Sequence, residues 1–442
     1  MSKEFKKCSV KPEDVHSVLS RYILADGLNM VVDLEKSQGA YIYCSKTGKP
    51  FLDLFSYFAS CPLGMNHPKL ATQEFIEKLG RVALNKISNS DAYTTCFAEF
   101  VETFASHTIP EEFNHLFFID GGALAVENAL KAAFDWKVRL NLSKGKGERG
   151  HQIIHFEHAF HGRTGYTLSL TNTADPRKYI YFPKFHWPRL PSPWLHFPIT
   201  EESISKVKKT EQIVVDKIKS LCLAHRQDIA ALLIEPIQAE GGDRHFRKEF
   251  LQELRDLADE NEFLLIFDEV QTGMGITGSW WAFQDIGVIP DIFAFGKKSQ
   301  ICGIASTGRI DNVPNNVFKE HSRINSTWGG NLVDMLRSKR MIEIIVEDEL
   351  LKNAKETGNY IQENLLKIND ERISEVRGRG MFISFDLPET SIRDNLVKLI
   401  FNNGAIILPC GLKSIRFRTP LDFKPEYVDI AMDILKKSLQ EL

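Results

Sequence analysis

The sequence predicts an α/β fold built on one mainly parallel sheet. Two observations predict it: short runs that are apolar on both faces, and amphipathic helical stretches between those runs. The apolar runs are HLFFID (115–120), HQIIHF (151–156), AALLIEPI (230–237), FLLIFDEV (263–270) and DIFAFGK (291–297). Because helices cover both faces of a parallel sheet, its strands are apolar on both sides.

Helical patterns separate these runs. Residues 123–140 repeat apolar side chains at near-helical spacing, and residues 248–263 form a second such stretch that leads straight into a strand. The segment 183–199 is rich in proline and aromatic residues, which predicts an ordered loop that either walls a pocket or is a surface excursion.

The pattern changes after about residue 330. Helical periodicity over 333–368 is followed by short strand-like runs at 379–387 and 404–410. We therefore expect a separate, smaller α+β domain at the C-terminal end. A chain of 442 residues with 43% hydrophobic content is long enough to bury two such cores.

Composition narrows the class of function. The net charge of −3 gives no electrostatic reason to expect a nucleic acid or an anionic membrane as partner. The seven cysteines are odd in number and never form a CxxC pair, which argues against a disulfide framework or a structural zinc. The sequence lacks a signal-peptide pattern and a run of about 18 uncharged apolar residues. We expect a cytoplasmic protein that acts on small molecules and binds no metal.

Two GxGxxG matches do not predict a dinucleotide site. GKGERG (145–150) precedes a strand instead of following one. GMGITG (273–278) follows a strand after two intervening residues, and its nearest acid, Asp285, lies far short of the ~20-residue spacing of that fingerprint.

Four other features each follow a predicted strand: a glycine turn at 120–125, FHGR at 160–163, the acids at 268–269, and Lys297. Since ligands of open α/β sheets bind at the carboxyl ends of the strands, these features are expected to meet in one pocket. Each also has an ordinary structural interpretation.

The glycine turn is either a phosphate-binding helix N-terminus, through the amides near Gly122 and Ala123, or a plain strand-to-helix turn. Asp268 is either functional or a structural cap or ion pair. Lys297 is suited to attack a carbonyl if its ammonium group is desolvated, and Lys298 is the competing candidate.

The order and spacing of EPIQAEGG (235–242), FDEVQTGMGITG (267–278), PDIFAFGKK (290–298), NSTWGGN (325–331) and SIRFRTPL (414–421) resemble class III pyridoxal-phosphate aminotransferases. The resemblance covers nearly the whole chain. It implies a fold type I transferase with a seven-stranded-type sheet, and a homodimer with a shared active site. We expect residues 1–65 to pack with the small domain, residues 66–330 to form the large cofactor-binding domain, and residues 331–442 to form the small domain.

Within that family the sequence looks most like the L-lysine 6-aminotransferases. DGGALAVENALKAAFDWK, GGDRHFR, FGKKSQICG and NSTWGGN are similar to that branch. Ornithine and 4-aminobutyrate enzymes usually carry a glutamate where this chain has Leu124.

The resemblance also implies roles for individual residues. Lys297 matches the lysine that forms a Schiff base with pyridoxal 5′-phosphate, and Asp268 matches the acid that pairs with the pyridine nitrogen. Phe160 matches the aromatic ring stacked on the cofactor, and Thr327 matches a threonine that reaches the phosphate from the other subunit. The remaining cofactor contacts are Gly122, Ala123, Val270 and Gln271.

Substrate residues follow in the same way. In the resemblance, Arg416 holds the carboxylate of 2-oxoglutarate or L-glutamate beside the reacting carbon, and Glu240 neutralises Arg416 when L-lysine presents its ε-amine. Arg163 matches a second arginine for the distal carboxylate, where the ordinary interpretation is a surface salt bridge, and Gln271 is also expected near the substrate. The alternatives are an ω-aminotransferase whose amino donor is ornithine or 4-aminobutyrate, an aminomutase or decarboxylase, and an inert binding protein.

Overall fold

The computed structural model describes residues 9–442. Its α-helices in chain order are α1 (Val15–Leu19), α2 (Ser56–Ala59), α3 (Gln73–Ala83), α4 (Thr95–Thr108), α5 (Gly122–Ser143), α6 (Gly165–Leu170), α7 (Glu201–Ala224), α8 (Lys248–Glu260), α9 (Ala282–Ile286), α10 (Leu332–Glu347), α11 (Leu350–Leu366), α12 (Thr390–Asn402) and α13 (Pro425–Glu441). The 3₁₀ turns are Pro12–Asp14, Pro176–Lys178, Lys297–Ser299 and Gly308–Asn312.

The strands in chain order are β1 (Tyr41–Cys44), β2 (Lys49–Asp53), β3 (Phe113–Ile119), β4 (Gln152–Phe156), β5 (Arg189–Leu190), β6 (Ile229–Ile234), β7 (Ile237–Gln238), β8 (Arg244–His245), β9 (Leu264–Asp268), β10 (Ile292–Phe295), β11 (Cys302–Thr307), β12 (Ser374–Arg379), β13 (Phe382–Asp386), β14 (Ala405–Ile406), β15 (Leu408–Cys410) and β16 (Ser414–Arg418).

The central sheet has seven strands in the order β3-β11-β10-β9-β6-β4-β5. Neighbouring strands from β10 to β5 are parallel, whereas β11 is antiparallel to both β10 and β3. The predicted mainly parallel sheet is therefore confirmed. The segment 183–199 contributes the short edge strand β5, so it is a loop that also extends the sheet.

Alternation along each strand explains why the sequence is apolar on both faces. In β9, Leu265 and Phe267 join an aromatic core that contains Phe100 and Phe104. Leu264 and Ile266 of the same strand face the other core, which includes α5. Half of the buried residues that α5 brings to that core are alanines, so its backbone packs close to the sheet and its first turn lies at the ends of the strands.

A second core lies in the C-terminal part of the chain. The antiparallel sheet β12-β13-β16-β15 packs with α11, α12 and α13, and β14 pairs in parallel with β2. This pairing is consistent with an N-terminal segment that belongs with the small domain. Helix α10 contributes Met335 to the aromatic core and Met341 to the C-terminal core, so it packs on both sides of the expected boundary. The division into 1–65, 66–330 and 331–442 stays a prediction, and residues 1–8 lie outside the described residues.

Three further observations concern residues 9–442 only. No helix in this range combines the length and the apolar character needed to span a membrane. The range contains no group of histidine, cysteine and acidic side chains arranged to hold a metal ion. The cysteines described, Cys44, Cys61, Cys96, Cys222, Cys302 and Cys410, are free thiols.

Candidate active site

A cavity of about 370 Å³ lies where β3, β4, β6, β9 and β10 end. Its lining includes the predicted residues Gly122, Ala123, Phe160, Arg163, Asp268, Val270, Gln271 and Lys297. The loops after separate strands thus bring together residues that are up to 175 positions apart, from Gly122 to Lys297. A larger cavity of about 850 Å³ lies elsewhere, beside His67, Asp422 and Tyr427, and contains none of the predicted residues.

One wall of the cavity is the N-terminus of α5. Gly121 precedes the helix with φ +100°, and a Cβ atom at Gly122 would lie 3.0 Å from Val270 Cγ1. Gly162 has φ +117°, and a Cβ atom there would lie 2.4 Å from the Cβ atom of Ala123. The glycines therefore allow three loops to approach closely, and the first turn of a 22-residue helix, with its free backbone N–H groups, lines the cavity.

Asp268 ends β9 and is held in a buried network. Its Oδ2 atom lies 2.8 Å from Nδ1 of the buried His161, and its Oδ1 atom accepts a hydrogen bond from the Val270 amide at 3.1 Å. Glu235 accepts hydrogen bonds from the amides of Phe160 and Ala239. Burial raises the pKa of Glu235 to about 7, and the charge of Asp268 adds to this rise. The network fixes the Asp268 carboxylate at the cavity wall.

The neighbouring acid, Glu269, points to the opposite side. Its carboxylate accepts hydrogen bonds from the hydroxyl of Thr272 and from the amides of Ala282 and Phe283. Burial raises the pKa of Glu269 to about 7. Since successive side chains of a strand alternate, only one of the two strand-end acids can reach the cavity, and it is Asp268.

The side chains of the adjacent Lys297 and Lys298 also lie in different surroundings. Lys297 lines the cavity, where its Nζ donates to the Phe58 carbonyl at 3.2 Å. The Lys298 ammonium is buried outside the cavity and donates to the carbonyls of Ala59 and Gln271. Burial and the nearby cations Arg416 and Arg418 together lower the pKa of Lys297 to about 8, although the carboxylates of Glu240 and Asp268 act in the opposite direction. The alternative that Lys298 serves the pocket is not supported by this geometry.

The cavity contains polar atoms without partners. Within the described residues, Gln271 Oε1 and His161 Nε2 are buried and accept or donate no hydrogen bond. The guanidinium of Arg163 is exposed, lies 5.9 Å from the centre of the Phe160 ring and forms no ion pair with a described residue. The surface salt bridge considered for Arg163 is therefore absent from that part of the chain.

Glu240 and Arg416 form an ion pair outside the cavity lining. Arg416 Nη2 donates to Glu240 Oε2 at 3.1 Å, and the Arg416 side chain is only 3% exposed. Among the described residues, Arg416 Nε and Nη1 are buried without a partner. Burial would raise the pKa of Glu240, but Arg416 and Lys178 outweigh it and hold that pKa below its usual value. Both residues act electrostatically on Lys297: Arg416 lowers the pKa of its amine and Glu240 raises it.

Thr327 is the one predicted cofactor-binding residue that does not line this cavity. It is exposed, in a bend after Ser326, whose carbonyl accepts a hydrogen bond from Ser90 Oγ at 2.8 Å. This hydrogen bond ties Ser326 to the segment around Ser90, while Thr327 is exposed on the surface.

Comparison with known proteins identifies the family. The family described as aminotransferase class-III matches residues 22–439 of the chain. The chain belongs to the class III aminotransferases. It is 46% identical to the L-lysine-epsilon aminotransferase of Mycobacterium tuberculosis over 433 residues, with 97% of this chain and 96% of the relative covered. It is 44% identical to the L-lysine-epsilon aminotransferase of Amycolatopsis lactamdurans, with 96% and 95% covered.

The fold agrees with this assignment. A solved structure of the lysine aminotransferase from M. tuberculosis superposes with a TM-score of 0.95 at 46% identity, covering 98% of this chain and 100% of that one. The class III aminotransferase therefore has the fold type I architecture, acts on an amino donor and a keto acid, and depends on pyridoxal 5′-phosphate.

The residues in the cavity fit that cofactor. A phosphate suits the open amides of α5, a pyridine nitrogen suits the buried carboxylate of Asp268, and the unpartnered Gln271 Oε1 suits a polar group on the ring. Lys297 has the lowered pKa that an amine needs to attack an aldehyde. When bound, the cofactor supplies an electron sink for the substrate carbon.

Three residues of the site were not predicted from the sequence. His161 lies inside the quoted motif FHGR, and Glu235 inside EPIQAEGG, but both were left without a role. A histidine two residues from a predicted arginine in a strand-end loop was the available signal. Lys178, which contacts Glu240, follows PR in a loop without any motif, and the sequence offered no signal for it.

Proposed function

We propose that this class III aminotransferase transfers the ε-amino group of L-lysine to 2-oxoglutarate. The products are 2-aminoadipate 6-semialdehyde, which cyclises to 1-piperideine-6-carboxylate, and L-glutamate. The observation that carries the proposal is the Glu240–Arg416 ion pair, both members of which act electrostatically on Lys297. The names of the relatives at 44–46% identity add support for lysine over ornithine or 4-aminobutyrate.

The ion pair meets the main demand of this reaction. One pocket must accept the CH₂–NH₃⁺ end of lysine, which has no adjacent carboxylate, and later a keto acid whose carboxylate lies beside the reacting carbon. With lysine bound, Glu240 neutralises Arg416. With 2-oxoglutarate or glutamate bound, the substrate carboxylate takes the place of Glu240, and the buried Nε and Nη1 of Arg416 are donors suited to it.

The remaining roles follow from position. With the cofactor bound, Lys297 would carry the proton to and from the substrate carbon, because its amine lies in the cavity and its pKa of about 8 gives a neutral fraction near neutral pH far larger than that of an ordinary lysine. Asp268 holds a proton on the pyridine nitrogen. Arg163, free of an ion pair among the described residues, binds the distal carboxylate of 2-oxoglutarate.

The cofactor is held by backbone amides and side chains of one subunit and by a residue of the second subunit. Gly122 and Ala123 offer amides, Phe160 offers a ring to stack on the cofactor, and Val270 and Gln271 line the same cavity. Thr327 completes the site from a second copy of the chain. The exposure of Thr327, outside its own cavity, supports a homodimer with shared active sites.

We further propose a cytoplasmic enzyme, which the free thiols of the described cysteines support.

Isotope transfer tests the proposal. The purified holoenzyme is given 2-oxoglutarate with L-lysine carrying ¹⁵N either at the ε-position or at the α-position. We expect ¹⁵N-glutamate from the ε-labelled substrate only, together with a six-carbon cyclic imine. Label from the α-position would contradict the assigned position of transfer, and faster glutamate formation from ornithine or 4-aminobutyrate would contradict the assigned substrate.

A further inference from the structure

Glu240 has a second cationic partner on a separate segment of the chain. Lys178 closes the 3₁₀ turn Pro176–Lys178, between α6 and β5. Its Nζ atom lies 2.5 Å from Glu240 Oε1, while Arg416 Nη2 lies 3.1 Å from Glu240 Oε2. Each carboxylate oxygen of Glu240 therefore holds a different cation.

The contact lies in a partly desolvated place at the edge of the cavity. The side chains of Lys178 and Glu240 are 20% and 25% exposed. The Lys178 ammonium is also 5.9 Å from the centre of the Phe160 ring, which lines the cavity. Ion pairs in such surroundings are stronger than pairs in open solvent, because water screens them less.

The neighbouring cation Arg418 is not available to take the place of Lys178 beside Glu240. Arg418 is fully buried and binds the carboxylate of Asp243 through both Nη atoms. Within the described residues, the ion partners of Glu240 are Lys178 and Arg416. If Arg416 turns to a substrate carboxylate, Lys178 is the cation left for Glu240.

Lys178 keeps the net charge of the site from becoming negative when a substrate carboxylate binds. Lys178, Glu240 and Arg416 carry a net charge of +1, which becomes 0 when a substrate carboxylate binds Arg416. Without Lys178 the same steps would run from 0 to −1, leaving a carboxylate without a partner in a partly buried site. An unpaired charge of that kind is strongly unfavourable.

We propose that Lys178 is a positioning residue that sets dual-substrate specificity: it retains the Glu240 carboxylate through Oε1 whenever a substrate carboxylate displaces Glu240 from Arg416. The inference rests on the proposed function, in which one site serves both an ω-amine and a keto acid. Lys178 thereby favours the half-reaction of 2-oxoglutarate and glutamate. The lysine half-reaction leaves the Glu240–Arg416 pair intact and depends on Lys178 much less.

The test measures the two half-reactions separately in single turnovers. In the holoenzyme with Lys178→Met, which keeps an unbranched apolar stem, the second-order rate constants for L-glutamate and 2-oxoglutarate should fall about 10- to 100-fold. The constant for L-lysine should change less than about 3-fold. Lys178→Arg keeps the charge and should restore most of the loss.

Arg177→Ala is the matched control. Arg177 is the neighbouring cation of the same turn, with an 86% exposed side chain bound to Asp175, so its removal should leave both half-reactions unchanged. In a Glu240→Gln background, Lys178 has no carboxylate to retain, and adding Lys178→Met should not alter the ratio of the two half-reactions further.

Equal losses in both half-reactions, a larger loss with lysine, or no loss at all would overturn the role of Lys178. The proposed function is tested separately, by measuring which amino donors the parent enzyme uses. If the parent uses another ω-amine instead of lysine, the same ratio is measured with that amine, and the Lys178 inference stands or falls on it.

Discussion

The Asp268 carboxylate lies 2.8 Å from Nδ1 of His161, whose side chain has no exposed surface. A carboxylate at the end of a buried strand must be held by donors, and here the imidazole and the Val270 amide are those donors. The contact joins the loop after β4 to the end of β9, so it fixes the orientation of the acid that faces the pyridine nitrogen in the proposed complex.

His161→Ala should lower kcat about 10- to 100-fold, because a hydrogen bond to a charged buried group contributes about 1.5–3 kcal/mol. His161→Asn keeps a donor near the position of Nδ1 and should recover part of that loss. Steady-state kinetics and the absorbance of bound cofactor are the measurements, with Tm as the check on folding. A rate for His161→Ala within two-fold of the parent would contradict the positioning role.

Lys297→Ala should abolish transamination and covalent attachment of the cofactor after borohydride reduction. Lys298→Met is the control: it removes a buried ammonium that binds the carbonyls of Ala59 and Gln271, so it should lower Tm but keep the covalent attachment. Mass spectrometry of reduced peptides checks both variants. Attachment at Lys298 in the parent enzyme would reverse the assignment.

The amine of Lys297 should titrate near pH 8. Burial and the charges of Arg416 and Arg418 lower its pKa to about 8, so its reactive neutral form increases as pH rises through that value. Between about pH 8 and the ordinary pKa of 10.5, the unfolded chain binds more protons at this lysine, and its contribution to the free energy of unfolding rises with pH.

The rate of covalent recombination of cofactor-free enzyme with pyridoxal phosphate measures this titration. We expect a midpoint near pH 8, moved upward in Arg416→Met because one lowering cation is gone. A rate that keeps rising tenfold per pH unit beyond pH 10 would mean that the amine is not perturbed.

Mixed dimers test whether Thr327 acts across the subunit interface. Thr327→Ala alone should lower activity about 10-fold, the effect expected from one charge-assisted hydrogen bond. If each site combines Lys297 of one subunit with Thr327 of the other, a dimer of one Thr327→Ala chain and one Lys297→Ala chain contains one intact site.

Such a mixed dimer, purified with two different tags, should therefore regain about half of the parent activity. If Thr327 acts within its own chain, the Lys297→Ala site stays inactive and the other site keeps the Thr327→Ala defect, so activity would not exceed that of the Thr327→Ala enzyme.

Much of the fold could be predicted because β9 and its neighbours bury both faces, and such strands leave continuous apolar runs in the sequence. The antiparallel strand β11 could not, because Ile304 is the one large apolar side chain in CGIAST. The edge strand β5 has two residues and depends on pairing with β4, which lies more than 30 positions away.

Some residues of the site could likewise be predicted from the sequence and others could not. Residues within motifs, such as Asp268 and Lys297, could be predicted because they lie where apolar strands end. Lys178 could not be predicted, since its contact with Glu240 joins residues 62 positions apart through an irregular loop. The opposite directions of Asp268 and Glu269 required the strand register as well as the sequence.

The central claim is that one site reacts with the ε-amine of lysine and with glutamate. A single-turnover spectrum tests it most directly: holoenzyme is mixed in turn with L-lysine, L-ornithine, 4-aminobutyrate and L-glutamate, and conversion of bound pyridoxal phosphate to pyridoxamine phosphate is followed. We predict fast conversion by lysine and glutamate and slow conversion by the other two. Faster conversion by ornithine or 4-aminobutyrate, or no conversion by lysine, would contradict the account.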